Sequence, residues 1–242
     1  MADLPIVLKY AASETFSPGG GVTGVRSTAV SARVRNDAYA KDVSLAYMDS
    51  IGVWNQAPLS FSETFGDHDI FRLTDSTIYM VRFALRYAVA GRVDWDNNGG
   101  GDYRIDESRP NTVGGNVTLN KAVARRGSEA GGGFTFTTSW VEGEILVKNL
   151  SYNKRVGLRF SANGWTTSFD SLATYGGNVA TFQGSSQVEV WKFKTPELNL
   201  DTSVPDFAFA VFYQSLDSGE WFWDSDFGRN YRLSKADMAS VE

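Results

Sequence analysis

Two eleven-residue stretches concentrate the side chains able to recognise a polyol. Trp95-Asp96-Asn97-Asn98-Gly99-Gly100-Gly101-Asp102-Tyr103-Arg104-Ile105 returns, ungapped, as Trp223-Asp224-Ser225-Asp226-Phe227-Gly228-Arg229-Asn230-Tyr231-Arg232-Leu233. A flat aromatic ring packs on the apolar C–H face of a pyranose, and an Asn side chain both donates to and accepts from its hydroxyls. The chemistry these residues suit is the gripping of a sugar.

Other chemistries fit less well. Asp94-x-Asp96-x-Asn98-Gly99-x-x-Asp102 has the oxygen spacing of an EF-hand-like calcium loop. Ile105 stands where the closing acid belongs, however, and the second copy has Phe222 for Asp94 and Phe227 for Gly99. No metal is expected. The one histidine, His68, cannot supply a multi-histidine centre, and without a GxSxG stretch a catalytic triad lacks its nucleophile elbow. Within Gly66-Asp67-His68-Asp69 it reads as a solvated loop residue. Glycoside hydrolysis needs two carboxylates across one deep cleft, whereas this chain spends its length on two copies of a smaller unit. Neither catalysis nor a cofactor is expected.

Composition narrows the partners. A net charge of -5 lacks the concentrated Lys and Arg of a nucleic-acid surface. No run of 18 apolar residues is present to span a membrane as a helix. Zero cysteines exclude disulfides and thiolate sites. Met1-Ala2-Asp3-Leu4-Pro5 lacks the basic start and apolar middle of a signal peptide, and reads as a cut inside a longer chain.

The elements that must position these residues read as short strands. Val30, Ala32 and Val34 alternate with Ser31, Arg33 and Arg35, the period of a half-buried strand. Leu4 to Tyr10, Val43 to Tyr47, Ile70 to Leu73, Tyr79 to Tyr87 and Arg92 to Trp95 are similar runs bounded by turn residues. The breaker clusters Ser17-Pro18-Gly19-Gly20-Gly21 and Ala130-Gly131-Gly132-Gly133 lack the Lys-Ser or Lys-Thr of a phosphate loop and read as turns. This spacing predicts an all-β chain of antiparallel sandwiches.

The repeat sets the organisation. Val34-Arg35-Asn36-Asp37-Ala38-Tyr39-Ala40-Lys41-Asp42-Val43-Ser44-Leu45-Ala46-Tyr47 aligns without a gap on Val147-Lys148-Asn149-Leu150-Ser151-Tyr152-Asn153-Lys154-Arg155-Val156-Gly157-Leu158-Arg159-Phe160. Trp54 then matches Trp165, Phe83 to Tyr87 match Phe209 to Tyr213, and Gly91 matches Gly219. A period of this length is that of whole domains rather than solenoid units, which predicts modules at residues 1–110 and 111–242.

Asn36-x-x-Tyr39-x-Lys41-x-Val43, then Trp54, then Trp95-Asp96-Asn97-Asn98 with Tyr103-Arg104-Ile105, resembles the family 21 carbohydrate-binding modules, in both halves and over nearly the length of each. That family includes the starch-binding domain of fungal glucoamylase and the glycogen-binding region of phosphatase-targeting subunits. The resemblance implies two tandem immunoglobulin-like sandwiches whose exposed aromatics stack on α-1,4-linked glucose. It places binding positions at Asn36, Tyr39, Lys41, Trp54, Trp95, Asn97 and Asp102, and at Asn149, Tyr152, Lys154, Trp165, Trp223 and Asn230. The chain departs from the family at Asp102, usually Asn, and at Ser225 and Asp226, usually an Asn pair.

The function expected is non-catalytic binding of starch, glycogen or malto-oligosaccharides, with two modules acting through avidity. The implied setting is a monomer, covalently linked to an amylolytic catalytic domain of a secreted enzyme and holding it on raw starch. The alternatives are a glycogen-targeting regulatory scaffold and, behind it, a calcium-binding β-sandwich module. Arg92-Val93-Asp94-Trp95 resembles the basic-Val-x-aromatic docking motif of phosphatase partners, although here it falls inside an expected strand.

Overall fold

The computed structural model describes residues 4–17, 24–131, 134–182, 184–197, 206–234 and 238–240. The chain start at 1–3 and the centres of the two glycine clusters, 18–21 and 132–133, lie outside the described residues. Two compact units are present: Met1–Gly115 with Asn178–Val188, and Asn116–Gly177 with Glu189–Glu242.

The first unit holds β1 (Ile6–Phe16), β2 (Val25–Arg35), β3 (Lys41–Met48), β4 (Trp54–Pro58), β5 (Ser60–Phe65), β6 (His68–Asp75), β7 (Arg82–Val89), β8 (Arg92–Asp96), β9 (Tyr103–Arg104) and β10 (Asn111–Thr112). One sheet runs β10-β1-β2-β6-β5, and the other runs β4-β3-β7-β8 with β9 also on β7. The pairing is antiparallel throughout. Ile6, Leu8, Val30, Ala32 and Val34 from one sheet meet Val43, Leu45, Phe83, Leu85 and Tyr87 from the other in a single core. Alternation carries every second side chain to this inner face, as the sequence pattern requires.

The second unit holds β11 (Val117–Gly131), β12 (Phe134–Lys148), β13 (Lys154–Ser161), β14 (Phe169–Leu172), β15 (Thr174–Asn178), β16 (Val188–Lys194), β17 (Asp206–Ser215), β18 (Trp221–Asp224), β19 (Tyr231–Ser234) and β20 (Met238–Ser240). Its sheets run β15-β16-β12-β11-β20 and β14-β13-β17-β18, with β19 on β17. In its interior Phe193 of one sheet lies 6.4 Å from Phe209 of the other, centroid to centroid. The all-β expectation holds, the only helix among the described residues being a three-residue 3-10 turn at Asn98–Gly100.

One device occurs in both units. β1 bulges at Lys9, between Leu8 and Tyr10, and β11 bulges at Asn120, between Leu119 and Lys121. A bulge takes a backbone group out of the ladder. Leu8 N–H donates to Asp96 at 2.6 Å and Leu119 N–H donates to Asp224 at 2.9 Å. Each buried carboxylate therefore ties the first strand of its unit to the strand that carries the sugar-motif tryptophan.

His68 corrects an expectation. Rather than a solvated loop residue, it is buried at the start of β6, paired with Arg35 of β2 and Phe65 of β5. Its polar sequence neighbours suggested a loop, but hydrogen bonding on both sides makes it a central strand end.

Candidate functional site

Strand pairing builds an open groove on the outer face of the sheet that holds β4-β3-β7-β8 in the first unit and β14-β13-β17-β18 in the second. In the first unit Trp54 begins β4 opposite Met48, and Trp95 sits in edge strand β8 opposite Arg86. With Asn97, Asp102, Ala46, Ala84, Asn55 and Gln56 they line a groove of about 450 Å³. In the second unit Trp165, Trp223 and Asn230 line a groove of about 290 Å³ with Arg159, Ala210 and Ser225. The four tryptophans are 46%, 42%, 37% and 39% exposed in chain order, so none is a core residue.

The loop after each second tryptophan is held in one conformation. Asn98, Gly99, Gly100 and Asp102 have positive φ, as do their counterparts Asp226, Phe227, Gly228 and Asn230. Asp102 N–H donates to the Asn97 carbonyl at 2.8 Å, and Asn230 N–H donates to that of Ser225 at 2.7 Å. Phe227, at φ 56°, adopts a conformation that bulky residues rarely take, and burial of its ring offsets that cost. The Asn97 side-chain amide oxygen, Oδ1, caps the turn by accepting from Gly100 N–H at 2.9 Å. Trp165, at φ 66°, is fixed by its own N–H donating to Ser161 Oγ at 2.8 Å.

The departure at Asp102 is compensated locally. Arg82 donates to its carboxylate at 2.7 Å. Register makes Ala208 the counterpart of Arg82, so the second unit has Asn230 facing a neutral position. In the first groove an acceptor-only carboxylate replaces an amide that can donate as well.

The structure does not bring all thirteen expected residues together. Lys41 opens β3, and Met48, beside Trp54, closes it, about 23 Å away at the usual strand rise. The Lys41 ammonium is buried against Asp69 and donates to Asn36 at 2.7 Å. Lys154 repeats this with Glu189 at 2.9 Å and Asn149 at 3.0 Å. Asn36 and Lys41, like Asn149 and Lys154, are thus engaged with one another and with a buried acid. Tyr39 and Tyr152 remain fully exposed at this end of each unit.

Sequence reasoning missed exposed rings near that end. Phe61 lies edge-on to Phe71 at 5.9 Å, and Tyr175 lies edge-on to Trp191 at 5.6 Å. Phe71 and Trp191 stand two residues beyond Asp69 and Glu189 respectively, on the same strand face. Neither ring falls in a recognisable motif. Only the strand pairing reveals them.

The acids of the calcium-like loop point to different partners. Asp94 pairs with Arg92, Asp96 turns inward to Leu8 and Tyr103, and Asp102 pairs with Arg82. Among the described residues no group of three His, Cys, Asp or Glu could hold a metal.

Comparison with known proteins then bears on this geometry. Residues 133–234 match the family model of the carbohydrate/starch-binding module (family 21), and residues 1–132 lie outside that match. Protein phosphatase 1 regulatory subunit 3C of Xenopus tropicalis is 32% identical over 95 residues, 39% of this chain and 39% of that protein. Protein phosphatase 1 regulatory subunit 3B of Homo sapiens is 28% identical over 102 residues, 42% of this chain and 34% of that protein. The similarity thus spans less than half the length of these relatives. Among solved structures, the starch-binding domain of Rhizopus oryzae glucoamylase, in complex with beta-cyclodextrin and maltoheptaose, is 21% identical with a TM-score of 0.34, covering 44% of this chain and 96% of that one. The carbohydrate-binding module of the muscle glycogen-targeting subunit of protein phosphatase-1 is 23% identical with a TM-score of 0.34, covering 49% and 75%. By the family model, residues 133–234 are similar to the carbohydrate/starch-binding module (family 21).

Proposed function

We propose that both units bind α-1,4-glucan in their outer-face grooves and act together on long chains. The observation that carries this reading is the convergence, in each unit, of two part-exposed tryptophans on one open groove with an amide or carboxylate at its rim. Two sites on one chain make the second contact intramolecular, so modest affinity per groove becomes firm attachment to a polysaccharide. Granular starch and glycogen pull-down tests this reading. Combined Trp54→Ala and Trp165→Ala substitution is expected to abolish retention, and undiminished retention would reject the grooves as the glucan sites.

The role favoured for that binding is a glycogen-targeting scaffold for a protein phosphatase, because the similar curated proteins are phosphatase 1 regulatory subunits. Edge strand β8 carries Arg92-Val93-Asp94-Trp95 with Val93 and Trp95 exposed, so a partner strand has access there. Delivery of a linked amylolytic domain to starch is the second reading. Capture of a phosphatase 1 catalytic subunit on glycogen through this chain separates the two, since the second reading expects none.

A further inference from the structure

Besides the rim residues Asn97 and Asp102, replaced by Ser225 and Asn230, and the cross-strand neighbour of the groove tryptophan, Arg86 against Phe212, the two grooves differ at three positions that register makes equivalent. Leu45 pairs with Leu85 and Leu158 with Val211, which sets Ala46 and Arg159 at the same place. On the flanking strand Ala46 faces Gln56, and Arg159 faces Asp170. On the edge strand Val93 and Trp221 correspond, each two residues before the groove tryptophan.

These differences change what surrounds the second tryptophan. The Arg159 guanidinium carbon lies 5.2 Å from the Trp223 ring centroid. Its Nε and Nη2 are forked onto Asp170 at 2.7 and 2.9 Å, which fixes the guanidinium in place. The Trp221 ring lies parallel to that of Trp223 within 9°, at 5.7 Å. Trp221 stands beside Gln214, Trp223 beside Phe212 and Arg159 beside Ala210. Arg159 and Trp221 therefore flank Trp223 from opposite directions along the strands. In the first unit Ala46 and Val93 are too short to do the same, and Trp95 has no ring or cation contact among the described residues.

Trp95 and Trp223 expose nearly the same fraction of their surface. What differs is which surface is open. A pyranose stacks on a ring face, so a tryptophan held between a guanidinium and a second indole offers it an edge. The smaller second groove, about 290 against 450 Å³, fits the same picture.

We propose that the grooves are an unequal pair, with the first the tighter α-glucan site and Arg159 the positioning residue that holds the affinity of the second down. The proposal rests on the glucan reading of both grooves, and it makes removal of a groove residue a gain of function. Displacing a guanidinium from an exposed ring costs roughly 0.5–1 kcal/mol, or about two- to fivefold in affinity.

The test is calorimetric titration of the whole chain with maltoheptaose, one groove silenced at a time. The Trp165→Ala chain, reporting the first groove, is expected to bind more tightly than the Trp54→Ala chain, reporting the second. In the Trp54→Ala background, Arg159→Ala and, separately, Trp221→Val are each expected to raise affinity about two- to fivefold, with a larger maltoheptaose-induced shift in tryptophan emission. Grafting Ala46→Arg, Gln56→Asp and Val93→Trp into the Trp165→Ala chain is expected to weaken the first groove. Near-ultraviolet circular dichroism checks that each variant stays folded, and Trp221→Val keeps the test open if Arg159→Ala does not. Equal affinities in the two silenced chains, or unchanged or lowered affinity in both second-groove variants, would overturn the proposal while leaving the glucan reading intact. Absence of maltoheptaose binding in both silenced chains would overturn both.

Discussion

Tyr103 donates its phenolic hydroxyl to the buried carboxylate of Asp96 at 2.8 Å, and Tyr231 does the same to Asp224 at 2.6 Å. The acid that follows each groove tryptophan is therefore a structural anchor, shared with the bulged first strand through Leu8 or Leu119. Asp96→Ala leaves a hydroxyl and an amide buried without a partner, at about 1–3 kcal/mol each. Scanning calorimetry is expected to show a loss of about 2–6 kcal/mol in the first unit, and Asp224→Ala the same in the second. An unmoved transition would show that the anchor carries no stability.

The same anchor sets an alkaline limit. Burial first, and then the adjacent Asp96 carboxylate, push the Tyr103 phenol well above its ordinary pKa of 10.0, and burial raises Tyr10 to about 12. Because the folded chain holds these protons more tightly than the unfolded one, their contribution is complete below pH 10 and is lost as pH rises above it. Stability measured between pH 8 and 12 is expected to fall above 10, less steeply in Tyr103→Phe. A pH profile identical in that variant would contradict the assignment.

Lys41 and Lys154 are expected to behave as structural residues. Lys41→Met strands Asp69 and Lys154→Met strands Glu189, each buried, at about 3–5 kcal/mol. Denaturant unfolding should show that loss while maltoheptaose titration of the groove stays unchanged. Weaker binding without a loss of stability would instead return the lysines to sugar contact.

Much of the fold was legible because alternation survives in each strand and because the motif order repeats. The grooves were less so. Asn36, Tyr39 and Lys41 lie close to Trp54 in sequence, yet β3 runs its whole length between them, and sequence spacing does not encode that separation. Arg159 reads as an ordinary outward strand residue, since its contact with Trp223 depends on three strands brought into register. The tryptophans were readable because they recur in the same order in both halves, although Trp54, Trp95 and Trp223 stand on strands and Trp165 alone of the four in a turn.

Gly157 lies under the second groove. A Cβ there would fall 2.4 Å from the Ser171 carbonyl oxygen and 3.0 Å from Phe212, the ring beneath Trp221 and Trp223. Gly157→Ala is expected to destabilise the second unit by about 1–3 kcal/mol and to weaken its groove. Chemical denaturation checks the first effect and titration of the Trp54→Ala chain the second, and a wild-type result in both would contradict this packing.

In the proposed function Trp54 and Trp165, with their partners Trp95 and Trp223, hold α-glucan in two grooves of one chain. Calorimetric titration with maltoheptaose, run on the unmodified chain and on the Trp54→Ala, Trp165→Ala double variant, tests it most directly. The expected result is binding at more than one site per chain, lost in the double variant. No binding heat from the unmodified chain, or full binding in the double variant, would contradict it.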